Sequence, residues 1–250
     1  MILQQPPNQF HPERERLILA LDFPSATACF GFLDHLQQDL PVDVRLRWVK
    51  VGLELFLAEG APLLSRLRAQ GYQVFLDLKL HDIPNTVAGA IRSVLPSGPA
   101  LLTVHACGGP AMLAAAARAA AGSATRLLAV TVLTSMDAAQ LAATGVAASP
   151  SDQVSLLAGM AAAQGISGFV CSPRESEQLR QLLPTAHLVT PGIRPTGAAL
   201  DDQQRHSTPA QALRSGATQL VIGRPITEAA NPAAAYLAIL DEMAGTQPAP

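Results

Sequence analysis

The stretch Phe75-Leu76-Asp77-Leu78-Lys79-Leu80-His81-Asp82-Ile83-Pro84-Asn85-Thr86 puts two acids and a lysine into six residues at the end of an apolar run. The run reads as a β-strand that meets a Pro-Asn loop. A buried strand excludes charge, because each ion taken out of water costs several kcal/mol unless it is paired. Residues two apart in a strand share a face, so Asp77 and Lys79 point one way and Leu76, Leu78 and Leu80 the other. A structural salt bridge accounts for one acid and one base. It does not account for charges gathered where strand becomes loop, which is the pattern of an active site.

Outward from this stretch, short β-rich apolar runs alternate with helical patterns. The runs cover 16–23, 47–53, 74–80, 101–106, 126–133, 168–172, 187–192 and 219–224. Helical patterns lie near 25–39, 59–70, 85–95, 109–121, 151–164, 175–182 and 208–215, and a last one covers about 231–243. Asn231-Pro232 and Thr208-Pro209 each pair an N-cap residue with proline at the first helical position. Apolar strands alternating with helices predict a parallel sheet covered on its faces. Eight such units, spanning 16–245 as a single domain, predict a (β/α)8 TIM barrel of the α/β class. The competing doubly wound open sheet usually carries a Gly-rich turn after its first strand. Here that turn reads Asp22-Phe23-Pro24-Ser25, without glycine. Residues 1–15 read as a polar, proline-containing tail.

The bulk numbers narrow the function. About half of the 250 residues are hydrophobic and 14% are charged, ample for a sizeable core. A formal net charge of −2 provides no basic field for nucleic acid. The N-terminal MILQQPPNQFHPERER lacks the basic-then-apolar layout of a secretory signal, and no run is long and apolar enough to cross a membrane. Cys29, Cys107 and Cys171 are odd in number and widely spaced, so neither a disulfide framework nor a Cys-based metal site is expected. They read as buried free thiols in a reducing cytoplasm.

In a barrel the chemistry sits at the C-terminal ends of the strands. Asp22 ends the first, Lys50 lies in the second, Asp77 and Lys79 in the third, and Asp82 just beyond it. Thr134 and Ser135 end the fifth. Thr190-Pro191-Gly192-Ile193-Arg194 ends the seventh, and Gly223-Arg224-Pro225 the eighth. Adjacent parallel strands are about 4.8 Å apart, close enough for an alternating ionic network. A lysine held between carboxylates keeps its charge, which suits a proton donor rather than a Schiff-base nucleophile. Gly223 admits close approach of backbone N–H groups and Arg224 supplies a guanidinium fork, a combination suited to phosphate. The polar loop 195–207, PTGAALDDQQRHS, exceeds the usual connection and reads as a lid, from which Gln203 could reach a ligand.

Together LALD, KVGLELF, FLDLKLHDIPNT, LTVHACGG, TVLTSM, VTPGIRP and VIGRPIT resemble the bacterial orotidine 5′-phosphate decarboxylase family, over about 16–243. The DxKxxD core alone is common to related sugar-phosphate barrels; the HDIPNT extension and the two distal motifs give the resemblance its specificity. It implies loss of CO2 from orotidine 5′-monophosphate to give uridine 5′-monophosphate, with no metal and no organic cofactor. Lys79 would protonate C6, Asp77 would face the departing carboxylate, and Lys50 and Asp82 would complete the catalytic set. Asp82 would come from the second subunit of a homodimer, with Ile83 and Thr86 beside it as substrate contacts. Asp22 and Lys50 would hold the ribose. Thr134, with Ser135 beside it, would meet the pyrimidine near Pro191. Gln203 (or its neighbour Gln204), Gly223 and Arg224 would bind the phosphate, with Arg194 close by. Two rivals remain. One is a Mg2+-dependent sugar-phosphate decarboxylase or lyase of the same superfamily, such as the 3-keto-gulonate 6-phosphate type, for which Glu54 is a candidate extra ligand. The other is a non-catalytic nucleotide-binding barrel.

Overall fold

A computed structural model describes residues 12–195 and 207–245. Its eight strands are β1 Leu17–Ala20, β2 Trp48–Val51, β3 Gln73–Leu80, β4 Leu101–His105, β5 Arg126–Val130, β6 Gly168–Val170, β7 His187–Thr190 and β8 Gln219–Ile222. Each pairs in parallel with the next, and β8 closes onto β1. This is the (β/α)8 barrel that the alternating pattern predicts; seven strands fall inside the runs read from the sequence, and β3 begins one residue before its run, at Gln73. The helices are α1 Ala26–Asp39, α2 Leu53–Glu59, α3 Ala61–Ala69, α4 Pro84–Val94, α5 Gly109–Ala120 and α6 Ala138–Ala143. They continue with α7 Pro150–Ala163, α8 Pro173–Leu182, α9 Pro209–Arg214, α10 Arg224–Thr227 and α11 Pro232–Ala244.

Period two splits each strand between two cores. Ile18, Ala20, Phe75, Leu101, Leu128, Val189 and Val221 fill the barrel interior. The alternate positions, among them Leu17, Leu19, Val49, Val51, Val74, Leu76, Leu102 and Val104, pack outward against the helices. The apolar stretches are near-continuous because both faces of the sheet are buried. Capping fixes where several helices begin. Ser25 accepts the Ala28 N–H at α1, and Asn231 accepts that of Ala234 at α11. Thr208 and Gln211 form a reciprocal capping box at α9. Pro12–Glu15, inside the stretch read as a tail, forms a short 3-10 turn tied into the barrel base. The Glu15 carboxylate accepts the Trp48 indole N–H at 3.1 Å, and the Glu15 carbonyl accepts from Gln219.

Two local features depart from the sequence reading. The second apolar run extends to residue 53 in the sequence, but β2 stops at Val51 and Gly52 caps α2. Leu53, Leu55 and Leu57 alternate like a strand, yet in the helix Leu55 is buried while Leu53 and Leu57, one turn apart, lie exposed. The second feature is in β3. Register runs Leu76↔Leu102 and then Leu80↔Val104, so β3 advances four residues while β4 advances two. This irregularity holds Lys79 at φ +49°, in the left-handed region, alone among the described non-glycine residues.

Candidate active site

The inward phase of the strands carries polar groups to the C-terminal rim. Lys50 follows Trp48 on β2, Asp77 follows Phe75 on β3, and Asp22 lies two residues beyond Ala20. Ala20 pairs with Lys50, and Lys50 with Phe75, which sets the charges side by side. Lys50 Nζ is 3.1 Å from Asp22 Oδ1 and 3.9 Å from Asp77 Oδ2, and Lys79 Nζ is 2.8 Å from that same Asp77 oxygen. The result is a continuous chain of alternating sign, Asp22–Lys50–Asp77–Lys79. Its centre is the drier part: the Lys50 and Asp77 side chains are 13% exposed, against 34% for Lys79 and 66% for Asp22. Gly52 leaves room for it, since a Cβ there would stand 3.1 Å from Lys50 Nζ and 3.4 Å from Asp22 Oδ1. The alternation expected to bring Asp77 and Lys79 together reaches that result by another route, through the irregular turn of β3.

These charges border a hollow of about 170 Å³. Lys50, Asp77 and Lys79 form its polar side, joined by Thr134 and Pro191. Phe75, Val130, Val132, Val170 and Val221 make an apolar wall and floor. That wall lowers the local dielectric, which strengthens any charge interaction made within it.

Gly223 caps α10 and Arg224 opens it. Arg194 is buried, and its Nη1 donates to the Ile193 carbonyl at 3.1 Å; it is not part of the lining of the hollow. Asp82, Ile83 and Thr86 lie on an exposed segment, and within one chain Asp82 does not join the ion chain; its Oδ1 accepts the Ile83 N–H at 2.6 Å. Ser135 is exposed beside Thr134. Gln203 and Gln204, with most of the lid, lie outside the described residues. Glu54 is exposed on α2.

Sequence reading missed Thr103. It is fully buried on β4, accepts the Lys79 N–H at 2.8 Å and donates to Asp77 Oδ1 at 3.0 Å. Its signal was present as the one polar residue at an inward position of the run LLTV. Nearby, Cys107 is exposed rather than buried as expected, with Sγ 2.9 Å from His105 Nδ1. Burial pushes the His105 imidazole below its ordinary value, and the charges of His81 and Lys79 act in the same direction. His105 therefore tends to stay neutral beside the Lys79 ammonium. Cys29 and Cys171 are buried as expected, their thiols pushed up by burial to about 12 and about 11.

Fold and site together define a (β/α)8 barrel with an alternating acid–lysine chain at its carboxyl rim. The family model for "Orotidine 5′-phosphate decarboxylase / HUMPS family" matches residues 15–239, and the chain belongs to that family. It is 51% identical over 236 residues to an orotidine 5′-phosphate decarboxylase of Halorhodospira halophila, covering 93% of this chain and 98% of the relative. The corresponding protein of Pseudomonas aeruginosa is 46% identical, over 91% of this chain and 97% of the relative. A crystal structure of orotidine 5′-phosphate decarboxylase from Lactobacillus acidophilus superposes with a TM-score of 0.77 at 38% identity, covering 91% of this chain and 98% of the other.

Proposed function

We infer that the chain decarboxylates orotidine 5′-monophosphate to uridine 5′-monophosphate in pyrimidine biosynthesis, with residues 16–245 acting as one catalytic barrel domain. The observation that carries this reading is the Asp22–Lys50–Asp77–Lys79 chain bordering a small hollow with an apolar wall, in a member of this family. A hollow of about 170 Å³ is smaller than the roughly 300–1,000 Å³ that encloses a drug-sized ligand. It suits one ring, the pyrimidine, with ribose and phosphate lying over the rim.

The mechanism follows from the charges. The substrate carboxylate is set against Asp77, whose negative charge repels it. Breaking the C6–carboxyl bond releases CO2 and leaves the electron pair on C6. The Lys79 ammonium, held by Asp77, stabilises that charge and donates its proton to C6. Neutral Lys79 then takes a proton from solvent. Unit charges 4 Å apart attract by about 4 kcal/mol at an effective dielectric of 20. Enzymes lower barriers by roughly 8–23 kcal/mol, so one ammonium is not enough. The remainder is assigned to a preorganised, water-poor site and to binding energy from remote parts of the substrate. Asp22 and Lys50 hold the ribose, Thr134 meets the pyrimidine, and Gln203, Gly223 and Arg224 bind the phosphate with Arg194 behind them.

Asp82 is assigned to the site of a second copy, making the working unit a homodimer. Its support is the exposed 81–86 segment, in which Ile83 is 66% exposed to solvent in the single chain. Mixing inactive Lys79→Ala and Asp82→Asn proteins should then regenerate some wild-type sites and restore activity. A mixture that stays as inactive as its components removes Asp82 from the partner's site. No helix among the described residues is long and apolar enough to cross a membrane, and a cytoplasmic location is part of the same proposal.

A magnesium-dependent relative of the same barrel would need further acid ligands. Glu54 is exposed on α2, both acids of the ion chain are engaged by lysines, and the described residues hold no cluster of three His, Cys, Asp or Glu groups arranged for a metal. The deciding experiment follows pyrimidine absorbance as purified protein, treated with EDTA, meets orotidine 5′-monophosphate. Rapid loss is expected. Loss that appears only when Mg2+ is restored, or turnover of sugar phosphates instead, overturns the proposal.

A further inference from the structure

We propose that Thr103 is a positioning residue for the decarboxylation, fixing Lys79 and Asp77 through one hydroxyl. The proposal rests on reading Lys79 as the proton donor. In a regular ladder the Lys79 N–H would face a β4 carbonyl. Here the register between β3 and β4 is broken between Leu76 and Leu80, and Lys79 sits in the left-handed region that a non-glycine residue keeps only when its surroundings hold it there. Buried backbone N–H groups are almost always paired. The partner in this case is a side chain: Thr103 Oγ1 accepts the Lys79 N–H at 2.8 Å. The same hydroxyl then donates to Asp77 Oδ1 at 3.0 Å, while Asp77 Oδ2 takes the Lys79 ammonium at 2.8 Å. The loop of contacts runs Lys79 backbone, Thr103, Asp77, Lys79 side chain. It fixes both ends of the lysine against each other and aims the carboxylate that must face the leaving group.

Threonine suits this position for two reasons. It is β-branched, so χ1 is stiff and the hydroxyl direction is set by packing. It is also fully buried, so water does not compete for the hydroxyl. Valine has a similar shape without the hydroxyl, and serine keeps the hydroxyl without the methyl. A shift of about 1 Å in a catalytic group can cost on the order of 100-fold in rate. Thr103→Val should therefore lower kcat by about that factor with KM close to wild type, because the ribose and phosphate contacts lie elsewhere. Titration with uridine 5′-monophosphate should still count one site per chain, which separates misplacement from loss of folded protein. Thr103→Ser should recover most of the lost kcat.

Wild-type kcat in Thr103→Val, or a serine variant as slow as the valine one, overturns the proposal. If the valine variant does not fold, amide exchange in the wild-type protein decides. The Lys79 N–H should be protected as strongly as the β4 amides beside it, and exchange at the rate of an exposed loop would remove the bond on which the argument stands. Full turnover by Lys79→Ala would instead sink the proton-donor reading, leaving the exchange result to judge the Thr103 contact alone.

Discussion

Both ends of the barrel gather basic side chains around a hollow, and they use them in opposite ways. At the base, a hollow of about 700 Å³ is lined by Arg16, Arg180 and His187 among others. Two of its arginines are tied into the backbone. Arg180 donates to the carbonyls of Pro184, Ala186 and Gly216, and Arg16 to those of Ala217 and Thr218. Gly216, at φ +97°, packs closely enough that a Cβ would stand 3.0 Å from that of Arg180. These guanidiniums cross-link loops. At the rim, a hollow about a quarter that size has its lysines facing carboxylates, and a lysine backbone held in an uncommon conformation. Cavity size would select the wrong end. What separates the two is the partner of each charge: neutral carbonyls fix structure, while ionised groups facing one another across a dry wall set up chemistry.

The largest expected effect tests that contrast directly. Lys79→Ala should lower kcat on the order of 10⁴-fold or more, since it removes both the proton and the charge that stabilises C6. Its unfolding midpoint should stay near that of wild type, because Lys79 is 34% exposed at the edge of the ion chain. An Arg180→Ala protein that remained folded and lost as much activity would erase the distinction between the two ends.

Arg224→Ala comes next. A hydrogen bond to a charged group is worth about 1.5–3 kcal/mol, so losing the proposed phosphate contact should raise KM roughly 10- to 100-fold. The kcat at saturation should fall much less. Steady-state kinetics give the split, and an unchanged KM would take Arg224 out of the phosphate site.

The rim was more legible in the sequence than its supports, for a physical reason. Charges in an apolar run are conspicuous, and period two assigns them a face. Asp22, Lys50, Asp77 and Lys79 could be picked out that way, and the structure brings them into one chain. The interruption of β3 could not be read, because alternation assumes an unbroken ladder and nothing in LDLKLHD announces two extra residues. Thr103 was missed because threonine is an ordinary strand former, and its importance appears only when β3 loses its register beside it. Likewise α2 resembles a strand in sequence, since Leu53, Leu55 and Leu57 alternate. The short helix α6 was overlooked although Asp137 and Gln140 spell out a reciprocal cap. The base arginines left no sequence signal at all, because their partners are carbonyls that every residue carries.

A smaller effect is expected at the base. Arg180→Ala leaves the Ala186 and Gly216 carbonyls without their charged donor, at a cost of about 3 kcal/mol. That lowers the unfolding midpoint by about 6–12 °C in a chain of this length. The kcat measured well below that midpoint should match wild type. A variant as stable as its parent would mean that the guanidinium is not the cross-link described.

The smallest effect is a pH dependence that the two ends share. Burial is the main cause pushing both His187 at the base and His105 at the rim below the ordinary imidazole value. The charges of Arg126 and Arg180 add to it at His187, those of His81 and Lys79 at His105, and only the Gln219 hydrogen bond at His187 opposes. A folded-state value below the unfolded one means that the unfolded chain binds more protons in the interval between them. Stability then rises with pH across that interval. The contribution is fully present above about pH 6.5, the ordinary value, and is lost as pH falls below it toward the folded-state values. Thermal unfolding midpoints measured from pH 7.5 to 5 should therefore fall on acidification. His187→Gln, which removes the titrating ring at the base, should flatten part of that slope and leave kcat at pH 7.5 unaltered. If the variant keeps the whole slope, the acid sensitivity belongs to the rim, with His105 the first place to look, and the base would prove insensitive to protons as well as to substrate.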